Sequence, residues 1–194
     1  MSLIIFLIYL ENYTEFAKTY NISYNITNIW KRGDVWNMKN NYFYAMLSRM
    51  KYINRWALMR NTYMENISEH SLEVATVAHS LAVIHNKRFG GNVNAERVAV
   101  LGVFHDAPEI ITGDMPTPVK YYSKQIREAY NCVEDDACKA LLEMIPEDIR
   151  EEYKPFFIKQ EADRQLWKFV KAADKICAYT KCIEESKAGN QDFD

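Results

Sequence analysis

A chain of 194 residues with 48% hydrophobic and 13% aromatic content can bury one substantial core, and two separate domains would each be short of apolar material. Its 24 Lys and Arg against 26 Asp and Glu leave a net charge of −2, so there is no broad cationic field and capture of a nucleic-acid polymer is not expected. Cys132, Cys138, Cys177 and Cys182 contain no C-x-x-C pair, which argues against a zinc ribbon or a disulfide framework and for free thiols in a cytoplasmic setting.

The opening apolar stretch, Leu3 to Leu10, is far shorter than the roughly 20 residues that cross a bilayer and lacks a basic leader and a small-residue cleavage site. No membrane association is expected. Residues 1–37, rich in Asn, Tyr and Ile without an amphipathic period, read as an N-terminal extension of unknown role, and a working domain is expected over 38–194. The N-x-[ST] matches at Asn12, Asn21, Asn25 and Asn66 carry meaning only in a secreted protein.

From Asn41 onward the periodicity is helical and no alternating strand pattern appears, so the fold class is all-α, a single helical bundle. A first helix is expected from Tyr42 to Asn54, with Phe43, Met46, Leu47 and Met50 on one face. A second begins near Ser68 as N-cap, carries Val74, Val77, Ala78, Leu81 and Ile84 inward, and stops at Gly90-Gly91. Asn94 caps a third, whose Val98, Leu101 and Gly102 share a face with His105. Thr112 to Pro118 is turn-forming. A polar helix follows over Lys120–Met144, and Pro146 opens a short acidic one. The last helix runs from Asp163 to Lys187, with Asp174 in a stripe containing Trp167, Val170, Cys177, Ala178 and Lys181. A carboxylate in such a stripe needs a partner, because desolvating it alone costs several kcal/mol.

His105-Asp106 puts an imidazole and a carboxylate about 100° apart on a helix, so both reach one point at its side or end. An isolated pair of this kind is also what a surface pair or a hydrogen-bonded core histidine looks like. His70, in the first turn of the second helix, and Asp174 complete a set of two imidazoles and two carboxylates. A hard or borderline divalent cation accepts that mixture and keeps positions open for water and substrate. Singly, His70 also reads as a capping or core histidine and Asp174 as a partner of Lys171 or Lys175.

The order H…HD…D resembles the metal signature of the HD-domain phosphohydrolases. Closer still, Ser48-Arg49-Met50-Lys51-Tyr52-Ile53-Asn54-Arg55-Trp56, Ser68-Glu69-His70-Ser71-Leu72, Thr112-Gly113-Asp114-Met115-Pro116-Thr117-Pro118 and Cys177-Ala178-Tyr179-Thr180-Lys181-Cys182 resemble the bacterial YfbR-type 5'-deoxynucleotidases from about Met38 onward. The resemblance implies that His70, His105, Asp106 and Asp174 are metal ligands, with Co, Mn or Cu as the cation. It implies a catalytic carboxylate at Glu109, one turn after Asp106, a phosphate-binding Arg55, and a Trp56 whose ring accepts hydrogen at C2' and crowds a hydroxyl. Asp114 and Pro116 match loop residues on the sugar side. A deoxyribonucleoside 5'-monophosphate as substrate and a homodimeric assembly follow from the same likeness.

Two alternatives stay open on sequence. An HD phosphohydrolase acting on another phosphorylated metabolite is one, to be separated by a nucleotide panel. The family resembled continues for some tens of residues past the equivalent of Phe193, so the chain reads as C-terminally shortened. A catalytically impaired nucleotide-binding or scaffold protein is therefore the other, to be separated by metal content and phosphate release.

Overall fold

The computed structural model describes residues 42–193, and the extension read over 1–37 lies outside them. The described residues are all-α, as expected, with one lone antiparallel bridge between Asn54 and Asn66. In chain order the helices are α1 Phe43–Leu47, α2 Ile67–Phe89, α3 Ala95–Phe104, α4 Glu109–Thr112, α5 Thr117–Lys120, α6 Lys124–Glu143, α7 Glu147–Phe157 and α8 Leu166–Lys187. Single 3-10 turns lie at Ser48–Tyr52, Glu161–Asp163 and Gln191–Phe193.

Helix ends are set by side chains that answer orphan backbone groups, and here several expected boundaries move. The cap of α2 is Asn66, not Ser68: its Oδ1 accepts from the amides of Ser68 (3.0 Å) and Glu69 (3.1 Å), while the Asn66 amide donates to Glu69 Oε2 (3.3 Å). Ser68 is already inside the first turn of this reciprocal capping box. The helix expected over 42–54 tightens after Leu47, because Ile53 must become extended for its carbonyl to receive the Ile67 amide at 3.0 Å. Phe43 and Met50 are nevertheless buried, as the pattern required.

Asn94 caps α3 as read, accepting from Arg97 N at 2.8 Å, and Gly90 ends α2 with φ 68°, a left-handed turn that glycine adopts without strain. The polar helix starts four residues late, at Lys124 behind the Ser123 cap, since Pro118 is tolerated in the first turn of the separate helix α5. Only residues 113–116 are irregular in the stretch read as a turn. Asp163 precedes α8 rather than opening it. Buried, it accepts from Arg97 Nε (2.6 Å) and Nη2 (2.5 Å), a bidentate tie from the start of α8 to α3.

Two apolar clusters hold the bundle. Val74, Ala78 and Ala82 of α2, Val98 and Leu101 of α3, and Leu166, Val170, Ala173 and Cys177 of α8 form one. Phe43, Met50, Ile67, Ala107, Ile110, Leu141, Leu142, Ile145 and Phe157 form the other. Each fully buried Val or Leu contributes about 1.5–3 kcal/mol of transfer free energy. The buried face of α2 is rotated from the expected stripe toward His70, Ser71, Ala75 and Ala82, leaving Ile84 exposed. Small residues on that face permit a close crossing: a Cβ added to Gly102 would stand 2.7 Å from Ala75 Cα. No helix among the described residues is long and apolar enough to cross a membrane.

Candidate metal and substrate site

The close α2–α3 crossing brings two imidazoles together, their planes tilted by 53°. His70, in the first turn of α2, is completely buried, and His105 is the residue at which α3 ends; their ring centroids are 5.3 Å apart. His105 Nδ1 lies 2.8 Å from the Gly102 carbonyl one turn back, a bond that puts the proton on Nδ1 and leaves Nε2 as a bare lone pair. That Nε2 is buried without a hydrogen-bond partner. Asp106 Oδ2 lies 3.1 Å from it and 3.5 Å from His70 Nε2.

His70, His105 and Asp106 each offer one ligand atom, all mutually within 4.8 Å. Asp174 stands outside that mutual set yet adjoins it, its Oδ1 3.1 Å from His70 Nε2; His70 is the partner that this carboxylate of the α8 stripe required, in place of Lys171 or Lys175. Among the described residues the ion pairs of Asp106 and Asp174 are with histidines only. An orphaned buried imidazole nitrogen beside carboxylates with no Lys or Arg partner is a donor set that fits a divalent cation, and a divalent metal is the cofactor.

The charges of His105, Asp106 and Asp174 act on one another. Burial opposes charge on His105, but the Asp106 carboxylate, the Gly102 carbonyl and Asp174 together outweigh it and raise the imidazole above its ordinary value. Burial likewise pushes against ionisation of Asp106 and Asp174, yet the adjacent imidazoles hold both below the usual carboxylate range. Glu109, expected as the catalytic carboxylate, is half-buried with Oε2 lacking a partner. Burial and then the charges of Asp106 and Asp114 push it up to about 9. A cleft of about 590 Å³ is lined by His105, Asp106, Glu109 and Asp174 together with Lys120 and Trp167.

The residues assigned to phosphate and sugar form a second group, which does not line that cleft. Arg55 Nη1 and Trp56 Nε1 both donate to one oxygen of Glu65, at 2.8 and 2.6 Å. Trp56 has φ 62°, the one positive-φ residue other than glycine among the described residues, a conformation that a bulky side chain adopts only when its surroundings enforce it. The Trp56 backbone amide also serves the Asp114 carboxylate, which burial raises above its ordinary value. Pro116 stands just before α5 at the end of the same short loop. The two groups communicate: the Arg55 charge acts on Asp106, Glu109 and Asp114.

Sequence reasoning missed Glu65. It sits in no periodic element, and its one available signal was being the sole acidic residue between Arg55 and Asn66.

A family model described as 5'-deoxynucleotidase YfbR-like matches residues 42–194. A 5'-deoxynucleotidase of Vibrio vulnificus (strain YJ016) is 54% identical over 156 residues, 80% of each chain. The 5'-deoxynucleotidase YfbR of Shigella boydii is 53% identical over 156 residues, 80% of this chain and 78% of that one. Among solved structures, an HD-domain phosphohydrolase from Listeria innocua matches with a TM-score of 0.70 at 24% identity, covering 78% of this chain and 72% of that one, a likeness of fold.

Proposed function

Since the chain belongs to the YfbR-like 5'-deoxynucleotidase family, a metal-dependent class of phosphohydrolase that releases phosphate from deoxyribonucleoside 5'-monophosphates, we propose the following division of labour among its residues. His70, His105, Asp106 and Asp174 hold the cation, and the observation that carries this is the partnerless, buried Nε2 of His105 3.1 Å from Asp106, a carboxylate that with Asp174 also flanks Nε2 of His70. When bound, a divalent cation lowers the pKa of a water and withdraws charge from the phosphate. Co, Mn and Cu are the candidates for its identity.

Arg55 neutralises phosphate charge. Its Nη1 is engaged by Glu65, which leaves Nε and Nη2 as a fork for two phosphate oxygens. Glu109 moves a proton: its partnerless Oε2 lies on the cleft wall shared with His105, Asp106 and Asp174, positioned to serve the leaving 5'-oxygen. Trp56 presents its ring against C2' and so favours hydrogen over hydroxyl there. Asp114 accepts from the 3'-OH, and Pro116 shapes the loop that carries it. Most of the acceleration then comes from positioning and electrostatics. We further propose that the enzyme works in the cytoplasm as a homodimer, which light scattering of the purified protein tests directly.

The experiment is phosphate release from a panel of ribo- and deoxyribonucleoside 5'-monophosphates after chelation and re-addition of Mn²⁺ or Co²⁺. Release that depends on added cation and prefers the deoxy series supports the scheme. Equal cleavage of both series overturns the role of Trp56, and release undiminished by chelation overturns the ligand set.

A further inference from the structure

Glu65 meets three members of the proposed machinery: Arg55, Trp56 and His70. It is the last residue before the cap of α2, 11% exposed at its side chain, and its two carboxylate oxygens face in different directions. Oε2 receives Arg55 Nη1 at 2.8 Å and Trp56 Nε1 at 2.6 Å. Oε1 lies 3.7 Å from Nδ1 of His70, a nitrogen that is wholly buried and has no hydrogen-bond partner. The Glu65 carbonyl, in turn, receives the Arg55 amide at 2.9 Å, so backbone and side chain together close residues 54–66 into a loop.

We infer that Glu65 is a positioning residue that sets the phosphate fork, the sugar-facing ring and the His70 imidazole from a single carboxylate. Toward His70 its negative charge favours a proton on Nδ1 and so leaves the lone pair on Nε2, the atom facing Asp106 and Asp174; a carboxylate behind a ligating imidazole fixes its tautomer and ring orientation in this way. Toward Trp56 it supplies the fixed point that holds an indole on a left-handed backbone, where no intrinsic preference would keep it. One side chain thereby couples cation affinity to sugar choice. The inference rests on the roles proposed for His70, Arg55 and Trp56.

Two variants of the full chain separate its contributions. Glu65→Gln retains an acceptor oxygen for Arg55 and Trp56 but turns an amide N–H group toward His70, whereas Glu65→Ala removes both functions. Calorimetric titration with Co²⁺ alone should show affinity weakened by roughly tenfold or more in both. The ratio of kcat/KM for a deoxyribonucleotide over its ribonucleotide should stay near wild type in Glu65→Gln and fall by about tenfold in Glu65→Ala. That split is a readout general loss of structure does not produce, and thermal melts of both variants establish that they are folded. Wild-type Co²⁺ affinity and wild-type sugar preference in folded Glu65→Ala overturn the inference alone. A wild-type protein that binds no Co²⁺, or that cleaves both sugars equally, faults the ligand and sugar assignments, and the role of Glu65 falls with them.

Discussion

Gly102 lies so close to Ala75 that any side chain on it would collide with backbone, and its carbonyl is also the acceptor that orients His105. The crossing of α2 and α3 and the direction of one imidazole therefore share a residue. Gly102→Ala is expected to cost about 1–3 kcal/mol, the usual penalty for overpacking. Because the helices must separate to admit the methyl group, His70 and His105 move apart as well. Melting curves with and without Mn²⁺ should show a lower Tm for the variant and a smaller rise on adding the cation; an unchanged rise would show that the crossing does not govern the ligand geometry.

Asp106 is the carboxylate common to both imidazoles, at 3.1 and 3.5 Å. Asp106→Asn removes the charge at nearly constant shape. Phosphate release should fall by at least about a hundredfold, the scale already reached when mere supports of a metal ligand are lost. Elemental analysis of the purified variant should show the cation lost in parallel. Full occupancy with lost turnover would assign Asp106 a role other than ligand.

Legibility of the fold tracked how local the physics was. The Asn94 cap, the Gly90 stop and the His105-Asp106 pair are written in short strings whose effect is confined to one turn, and each is where it was read. The α2 cap was misplaced although Asn66-x-x-Glu69 is a complete capping box, because Ser68 was the nearer polar residue to the apolar run. What stayed hidden depends on contacts between distant segments: the rotation of α2 comes from small Ala75 and Gly102 meeting, and Glu65 gains meaning only once Arg55, Trp56 and His70 surround it. Likewise Asp174 announced a need for a partner, but the identity of that partner, His70, lies 104 residues away.

Trp56→Ala opens the space beside C2'. The preference for deoxyribonucleotides should relax by about tenfold in kcat/KM, the lower range of what a pocket contact of this size discriminates. Most of the change should come from improved turnover of ribonucleotides rather than loss on the deoxy side. Parallel kinetics on one matched nucleotide pair suffices to check it, and an unaltered ratio would place sugar selection elsewhere.

Glu185 is fully buried near the C-terminal end of α8. Burial would raise it, but Lys181, Asn190 Nδ2 (2.7 Å) and the amides of Thr62 (2.8 Å) and Tyr63 (3.2 Å) all donate to it and hold it far below the ordinary glutamate value of 4.5. A depressed folded-state value means that its stabilising contribution is complete above 4.5 and is lost as pH falls below that toward the folded value. Denaturation midpoints should therefore drop between pH 5 and pH 3, as a rough range. Glu185→Gln should be less stable at neutral pH and show a shallower acid slope. An identical slope would move the acid sensitivity to other carboxylates.

Asp163 and Arg97 form a bidentate pair in which the aspartate is 5% and the arginine 35% exposed at the side chain. Asp163→Ala leaves the guanidinium half-stranded between α3 and the start of α8. A loss of about 2–3 kcal/mol is expected, less than for a pair wholly removed from water. Urea denaturation of the variant checks the figure, and a change under about 0.5 kcal/mol would reduce the pair to a surface ornament.

The loop bearing Arg55 and Trp56 is moored to the far end of the chain. Asn190 Nδ2 reaches the Arg60 carbonyl at 2.8 Å, the Arg60 side chain pairs with Asp192, and Lys181 donates to the Tyr63 carbonyl. Residues 55–66 and 181–192 are thus a single unit of inheritance despite their separation in the gene. Chimeras that splice one stretch from a relative without the other would combine halves never selected together, and substitutions in either should covary across homologues.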